Sequence, residues 1–147
     1  MNVMDRRFVM DTARHSFRDH VGELELEIEA PSLAELYAEA GRALARIMAG
    51  DDDSALADRD AETIEVRGSD PEALLAEWLN ELIFLSETRH RAYTYLRVES
   101  VGPHALTASV RGVPVEHVHT AVKAATLHGI RIEKTDLGYR ASVVLDV

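Results

Sequence analysis

From Glu23 to Glu29 hydrophobic and polar residues alternate without a break: Leu24, Leu26 and Ile28 on one side, four glutamates on the other. A period of two over this length predicts a strand with one buried and one acidic face. The period then lengthens. Pro31-Ser32-Leu33-Ala34-Glu35 opens a helix, Ser32 accepting from the Glu35 amide while the Glu35 side chain reaches back in a capping box. Leu33, Leu36, Tyr37, Ala40, Leu44, Ile47 and Met48 share one face of that helix, and Gly50 ends it. Ile64 and Val66 mark a short strand. A second helix begins with Asp70 as N-cap and Pro71 at the first helical position, where its missing N–H costs nothing. Its buried stripe is Leu75, Trp78, Leu79, Leu82 and Ile83.

The C-terminal half predicts strands at about 92–101, 104–112, 119–133 and 139–147, with turns at Gly102-Pro103 and Asp136-Leu137-Gly138. The last connection is so short that its two strands must pair antiparallel. The expected fold class is α/β (α+β): a two-layer sandwich with two helices packed on one face of a mixed, largely antiparallel sheet. Helix–strand alternation in the first half admits a crossover unit. Residues 1–14 read as an N-terminal extension whose apolar cluster is Phe8-Val9-Met10, and 15–147 as a single domain.

Composition narrows the function. A chain of 147 residues with 46% hydrophobic content can bury a real core. Its net charge of −10 argues against gripping nucleic acid mainly through phosphates, although Arg89-His90-Arg91 and Arg97 form a local basic exception. The same charge suits a basic partner protein or a cation site. Absence of cysteine excludes disulfides, thiolate zinc sites and cysteine nucleophiles. No apolar run approaches membrane-spanning length, and Met1–Arg7 lacks the apolar core of a signal peptide, so a cytoplasmic location is expected.

Candidate chemistry starts with the acids. The final strand, Tyr139–Val147, places Asp146 beside the Val147 carboxylate, and Glu23 follows a glycine that permits a bend at Asp19-His20-Val21-Gly22. If the first and last strands are neighbours, Glu23, Asp146 and the terminal carboxylate meet. Such acids are either solvated surface groups or a cage for a hard divalent cation. The acidic loop from Asp51 to Asp60 has the same two readings. On the 119–133 strand, period two puts Val122, Thr126, His128, Ile130 and Ile132 on one face, with His128 half-buried. Lys123 and Arg131 point to the other face. His117 and His119 share a strand face if extended, without a third zinc ligand. No phosphate loop or nucleophile elbow is present, and Ser86 and Ser142 have no base at a recognisable spacing, so no catalysis is expected.

Three blocks resemble the archease family: Trp78-Leu79-Asn80-Glu81-Leu82-Ile83, Lys123-Ala124-Ala125-Thr126-Leu127-His128-Gly129 and Val144-Leu145-Asp146-Val147. Their order and spacing agree from about Ser16 to Val147. The family's usual forms are a Trp-Leu-Asn-Glu-Leu helix, a Lys-Ala-x-Thr-x-His strand and an end of Leu-Asp-aliphatic. The resemblance implies a small acidic two-layer α/β protein that is no enzyme itself. Such proteins assist an RtcB-type RNA ligase, promoting its metal-dependent guanylylation and multiple turnover in tRNA splicing and RNA repair. It also implies a site of clustered carboxylates for Ca²⁺, Mn²⁺ or Mg²⁺. Carried over residue by residue, the metal set is Glu23, Asp146, the Val147 carboxylate and Asp51, supported by His20, Asp19, Lys123 and His128. Two departures stand out. The family's His-Thr-Ala-Asp here ends in Glu23, one methylene longer, and its Met-Thr-Asp reads Met48-Ala49-Gly50, with Asp51 one residue late. They motivate the alternative: a diverged archease-like binding module, or a chaperone-like modulator of an RNA-modifying enzyme such as a tRNA methyltransferase, without a working metal site. Oligomeric state is not legible in the pattern.

Overall fold

The computed structural model describes residues 12–50 and 56–147. Expectations placed on Phe8-Val9-Met10 and on Asp51 lie outside them. The Glu23–Glu29 alternation becomes β2 (Glu23–Ala30), preceded by β1 (Arg14–His20). Strand β2 is buried at Leu26, Ile28 and Ala30, as period two requires. Helix α1 (Leu33–Ala49) follows, then β3 (Glu62–Arg67), α2 (Pro71–Arg89), β4 (Arg91–Val101), β5 (Ala105–Pro114), β6 (Ala124–Thr135) and β7 (Gly138–Asp146).

Both helix starts match their caps: Ser32 accepts from the Glu35 amide at 3.1 Å, and Asp70 from the Ala73 amide at 2.7 Å. The Glu35 carboxylate, expected to complete a capping box, instead lies 3.6 Å from Arg42, about two turns further along the same face. An ion pair has displaced the backbone contact there.

Among the described residues the α+β class with two helices and antiparallel strands holds. The single mixed sheet does not. The described strands form two sheets, one ordered β1-β2-β7-β6 and the other β3-β5-β4, and every pairing is antiparallel. The β2–α1–β3 connection crosses from one sheet to the other instead of returning to a parallel neighbour. Both helices contact both sheets. Helix α1 is therefore buried nearly all round, not on one face. Its small residues Ala38, Gly41 and Ala45 make that second contact possible. A Cβ on Gly41 would strike the Leu96 side chain of β4 and come within 3.1 Å of Leu82 in α2. Two bonds lock the helices together: Trp78 Nε1 donates to the Tyr37 carbonyl at 2.7 Å, and the Tyr37 hydroxyl to the Pro71 carbonyl at 2.9 Å.

The strand predicted at 119–133 begins only at Ala124. Residues 115–123 run irregularly because their backbone groups bond elsewhere: the His119 amide to the Met48 carbonyl, at 2.7 Å, and the Lys123 amide to Asp146, at 2.8 Å.

Candidate functional site

The larger sheet turns its acidic face outward, and register arranges that face in rows. Arg14, Glu29, Arg140 and Glu133 form one row across all four strands. Within it Glu29 is paired with Arg14 and, at 3.3 Å, with Arg140. Hydrogen bonding from Arg14, outweighing partial burial, holds the Glu29 carboxyl below its ordinary value. The last row is different: His20, Glu23, Asp146 and Ala124. Here two carboxylate-bearing residues stand directly opposite each other, with alanine on the far side. Opposed residues in an antiparallel pair have Cβ atoms about 5 Å apart, and like charges there repel. Repulsion across such a pair is relieved by water or by a cation.

Local backbone explains the juxtaposition. Val21 and Gly22 close the β1–β2 hairpin, Gly22 taking the positive φ of 72° that the tight turn demands. The Gly22 carbonyl accepts from the Val147 amide at 3.1 Å, which fixes the end of β7 beside the turn. On the other flank the Asp146 carbonyl accepts from the Lys123 amide. Strand β6 is a sheet edge, and α2 covers it: Asn80 Oδ1 accepts from the Ala125 amide at 2.8 Å, and Asn80 Nδ2 donates to the Ala125 carbonyl at 3.1 Å. A single side-chain amide thus stands in for a neighbouring strand.

Of the residues singled out from sequence, Glu23 and Asp146 come together, Glu23 exposed and Asp146 half-buried. Val147 lies at the same corner. Asp51 and the His20 side chain fall outside what is described, although the His20 backbone is in register with Glu23. Asp19 pairs with Leu24, so it faces the opposite side of the sheet from Glu23. Lys123 is exposed just before β6. His128, expected half-buried, is exposed. The β6–β7 register slips between Thr126 and Arg131, where five steps on β6 span two on β7, and this bulge turns Leu127 and His128 to solvent. His117 and His119 are likewise exposed on bends, not ranged on a strand face. Among the described residues no group of three or more His, Asp or Glu side chains gathers at metal-holding spacing.

Sequence reasoning missed a second polar cluster. Glu39 of α1 is buried, with His15 Nδ1 at 2.7 Å and Arg42 Nε donating at 2.9 Å. Burial pushes the Glu39 carboxyl up, but the bonds from His15 and Arg42 outweigh it and the net displacement is downward. The cluster borders a groove of about 610 Å³ that also takes in Asp19, Arg46 and His119. The signal was present: a glutamate between Leu36 and Ala43 at helical spacing belongs to the buried face and must have partners.

A family model described as the Archease protein family (MTH1598/TM1083) matches residues 15–147. The chain belongs to the archease family. It is 37% identical over 138 residues to protein archease of Archaeoglobus fulgidus, covering 91% of this chain and 99% of that one. It is 26% identical to protein archease of Methanosarcina barkeri, covering 91% and 96%. In fold it resembles the solution structure of protein 1598 from Methanobacterium thermoautotrophicum, with a TM-score of 0.72, 24% identity and coverage of 90% and 98%. A crystal structure from Thermotoga maritima, described as an archease and possible chaperone, matches with a TM-score of 0.64 at 22% identity, covering 91% and 100%.

The archease blocks now have a physical relation. Asn80 of the first holds Ala125 of the second, whose Lys123 holds Asp146 of the third. They form one chain of contacts ending at the paired carboxylates. Among the described residues no helix is long and apolar enough to cross a membrane.

Proposed function

We propose that this chain is a non-enzymatic activator of an RtcB-type RNA ligase, working in the cytoplasm in tRNA splicing or RNA repair. The observation that carries the reading is the Glu23–Asp146 register, which sets two carboxylates side by side at one corner of an acidic protein. Glu23 and Asp146 would hold a divalent ion (Ca²⁺, Mn²⁺ or Mg²⁺), with oxygens of Val147 and Asp51 as further donors. The ion supplies a hard Lewis acid for nucleotide phosphates. Glutamate in place of aspartate lengthens one arm by a methylene, and the exposed position of Glu23 leaves room for it. The acidic face suits addressing a basic surface on a partner protein, with Lys123 at its border. The test is a multiple-turnover ligation assay with an RtcB-type ligase, Mn²⁺ and GTP. Stimulation that disappears with Asp146→Ala is expected; a clean preparation without any stimulation refutes the reading.

Exposed apolar side chains favour a second reading. Phe84 and Leu127 are 58% and 60% exposed, which suits a chaperone-like module that contacts an RNA-modifying enzyme without a metal. Calorimetric titration with Mn²⁺ and Ca²⁺ separates the two: binding lost in Asp146→Ala supports the first, and absence of binding the second.

A further inference from the structure

The smaller sheet has a solvent face of different character. On it Tyr95 of β4 stands opposite Arg111 of β5, and the next row is Arg97, Ser109 and Thr63. The alternate positions, Leu96, Val98, Ala108 and Val110, pack into the core, so these five side chains share the outward face. Tyr95 is 49% exposed, and the Arg111 guanidinium lies over its ring at 5.0 Å from the centroid. Elsewhere Arg14, Arg18, Arg42, Arg67, Arg89 and Arg140 each hold a carboxylate. Among the described residues neither Arg97 nor Arg111 forms an ion pair. In a chain with 26 acidic residues against 16 basic ones, two arginines without a carboxylate partner flank an exposed aromatic ring here, and Glu65, on the same face of β3, is taken up by Arg67.

We infer that this face holds an unpaired stretch of nucleic acid, a base stacking on the Tyr95–Arg111 pair and adjacent phosphates meeting Arg97 and the Ser109 and Thr63 hydroxyls. Half-exposed aromatic rings and guanidinium planes on an antiparallel sheet are stacking surfaces for splayed bases. The occupant is single-stranded because a duplex keeps its base faces stacked inside. A cross-strand tyrosine–arginine pair also stabilises a sheet without any ligand, but that accounts for neither Arg97 nor the flanking hydroxyls. The overall charge of −10 keeps the interaction weak and sensitive to salt. This inference rests on the β3-β5-β4 face alone and does not depend on the ligase reading.

The test is fluorescence anisotropy of a labelled short single-stranded oligoribonucleotide with the full chain and no ligase present. Binding at low salt is expected, with a log–log salt slope of roughly −1.4 for two neutralised phosphates. Tyr95→Ala should weaken it by roughly 5- to 150-fold through lost stacking. Tyr95→Phe should retain it, Arg97→Glu should weaken it, and Arg140→Glu on the other sheet should leave it unchanged. Amide shifts of the unmodified protein titrated with the same RNA should map to β3, β4 and β5, which decides the matter even if a variant fails to fold. No binding at low salt, equal binding of duplex RNA, equal binding of an acidic peptide, or indifference to Tyr95→Ala would each overturn the inference.

Discussion

Replacing Asn80 with alanine tests whether the motif helix holds the acidic corner in place. In the native chain the Asn80 amide satisfies both backbone groups of Ala125, at 2.8 and 3.1 Å, and Ala125 is only 5% exposed. Alanine at position 80 leaves a buried N–H and a buried C=O without partners, each worth about 1–3 kcal/mol. Because β6 is an edge strand, water reaches these groups once the side chain is gone, so about 2–4 kcal/mol in total is expected. A chain of 147 residues loses roughly 3 °C of Tm per kcal/mol, which makes the drop roughly 6–12 °C.

The effect should travel further than stability. The Lys123 amide beside the clamp bonds to the Asp146 carbonyl, so loosening the start of β6 frees the strand that carries the second carboxylate. Differential scanning calorimetry with and without Mn²⁺ reads both consequences. The variant should melt lower and also gain less from the metal than the native chain does. A melting temperature within about 2 °C of native, well under the shift expected from two unsatisfied backbone groups, would show that the clamp is dispensable and sink the argument.

Asp146→Asn removes one of two opposed like charges and should raise metal-free stability by about 0.2–1 kcal/mol while abolishing stabilisation by Mn²⁺; a thermal-shift titration reads both. Glu39 has a folded-state carboxyl held below its ordinary value, so its contribution is full above the unfolded value and is lost as pH falls through the folded one. Melts recorded across the acid range should therefore show a low-pH decline that Glu39→Gln flattens, the variant being about 1–3 kcal/mol less stable near neutrality. Gly138→Ala should destabilise by about 3 kcal/mol or more, since its Cβ would strike the Ala30 carbonyl and lie 2.7 Å from Pro31 Cα, at a φ of 148°. Chemical denaturation checks this, and a loss under 1 kcal/mol would mean the β6–β7 turn can move away from Pro31.

What sequence showed depended on whether a residue's neighbours were local. Alternation in β2, the caps at Ser32 and Asp70, and the Asp136-Leu137-Gly138 turn are decided within a few residues, and the structure keeps them. The division into two sheets was hidden because strand period reports which face is buried, not which strand lies alongside. The second buried face of α1 was written in Ala38, Gly41 and Ala45, but small residues register weakly in a pattern of large apolar ones. For Glu39 the place on the buried face was legible from its spacing, but the identity of its partner was not, since His15 sits 24 residues away on β1.

The corner with Glu23 and Asp146 shows the same division from the other side. That two acids could meet was legible, because each sat at the end of a strand. That they stand opposite each other follows from the β2–β7 register, which links Glu23 with Asp146 and Ala30 with Tyr139 in one unbroken ladder. A slip of one residue would carry Leu145 to the outer face and bury the aspartate. Core residues Leu26, Ile28, Ala141, Val143 and Leu145 therefore fix the separation of the carboxylates as firmly as any contact at the corner itself. In β6 the register breaks at Thr126 and the exposure of His128 follows from that break, so geometry there had to come from the structure. Where burial on one face locks the ladder, the polar face inherits its precision; where a bulge releases it, the polar residues go to solvent.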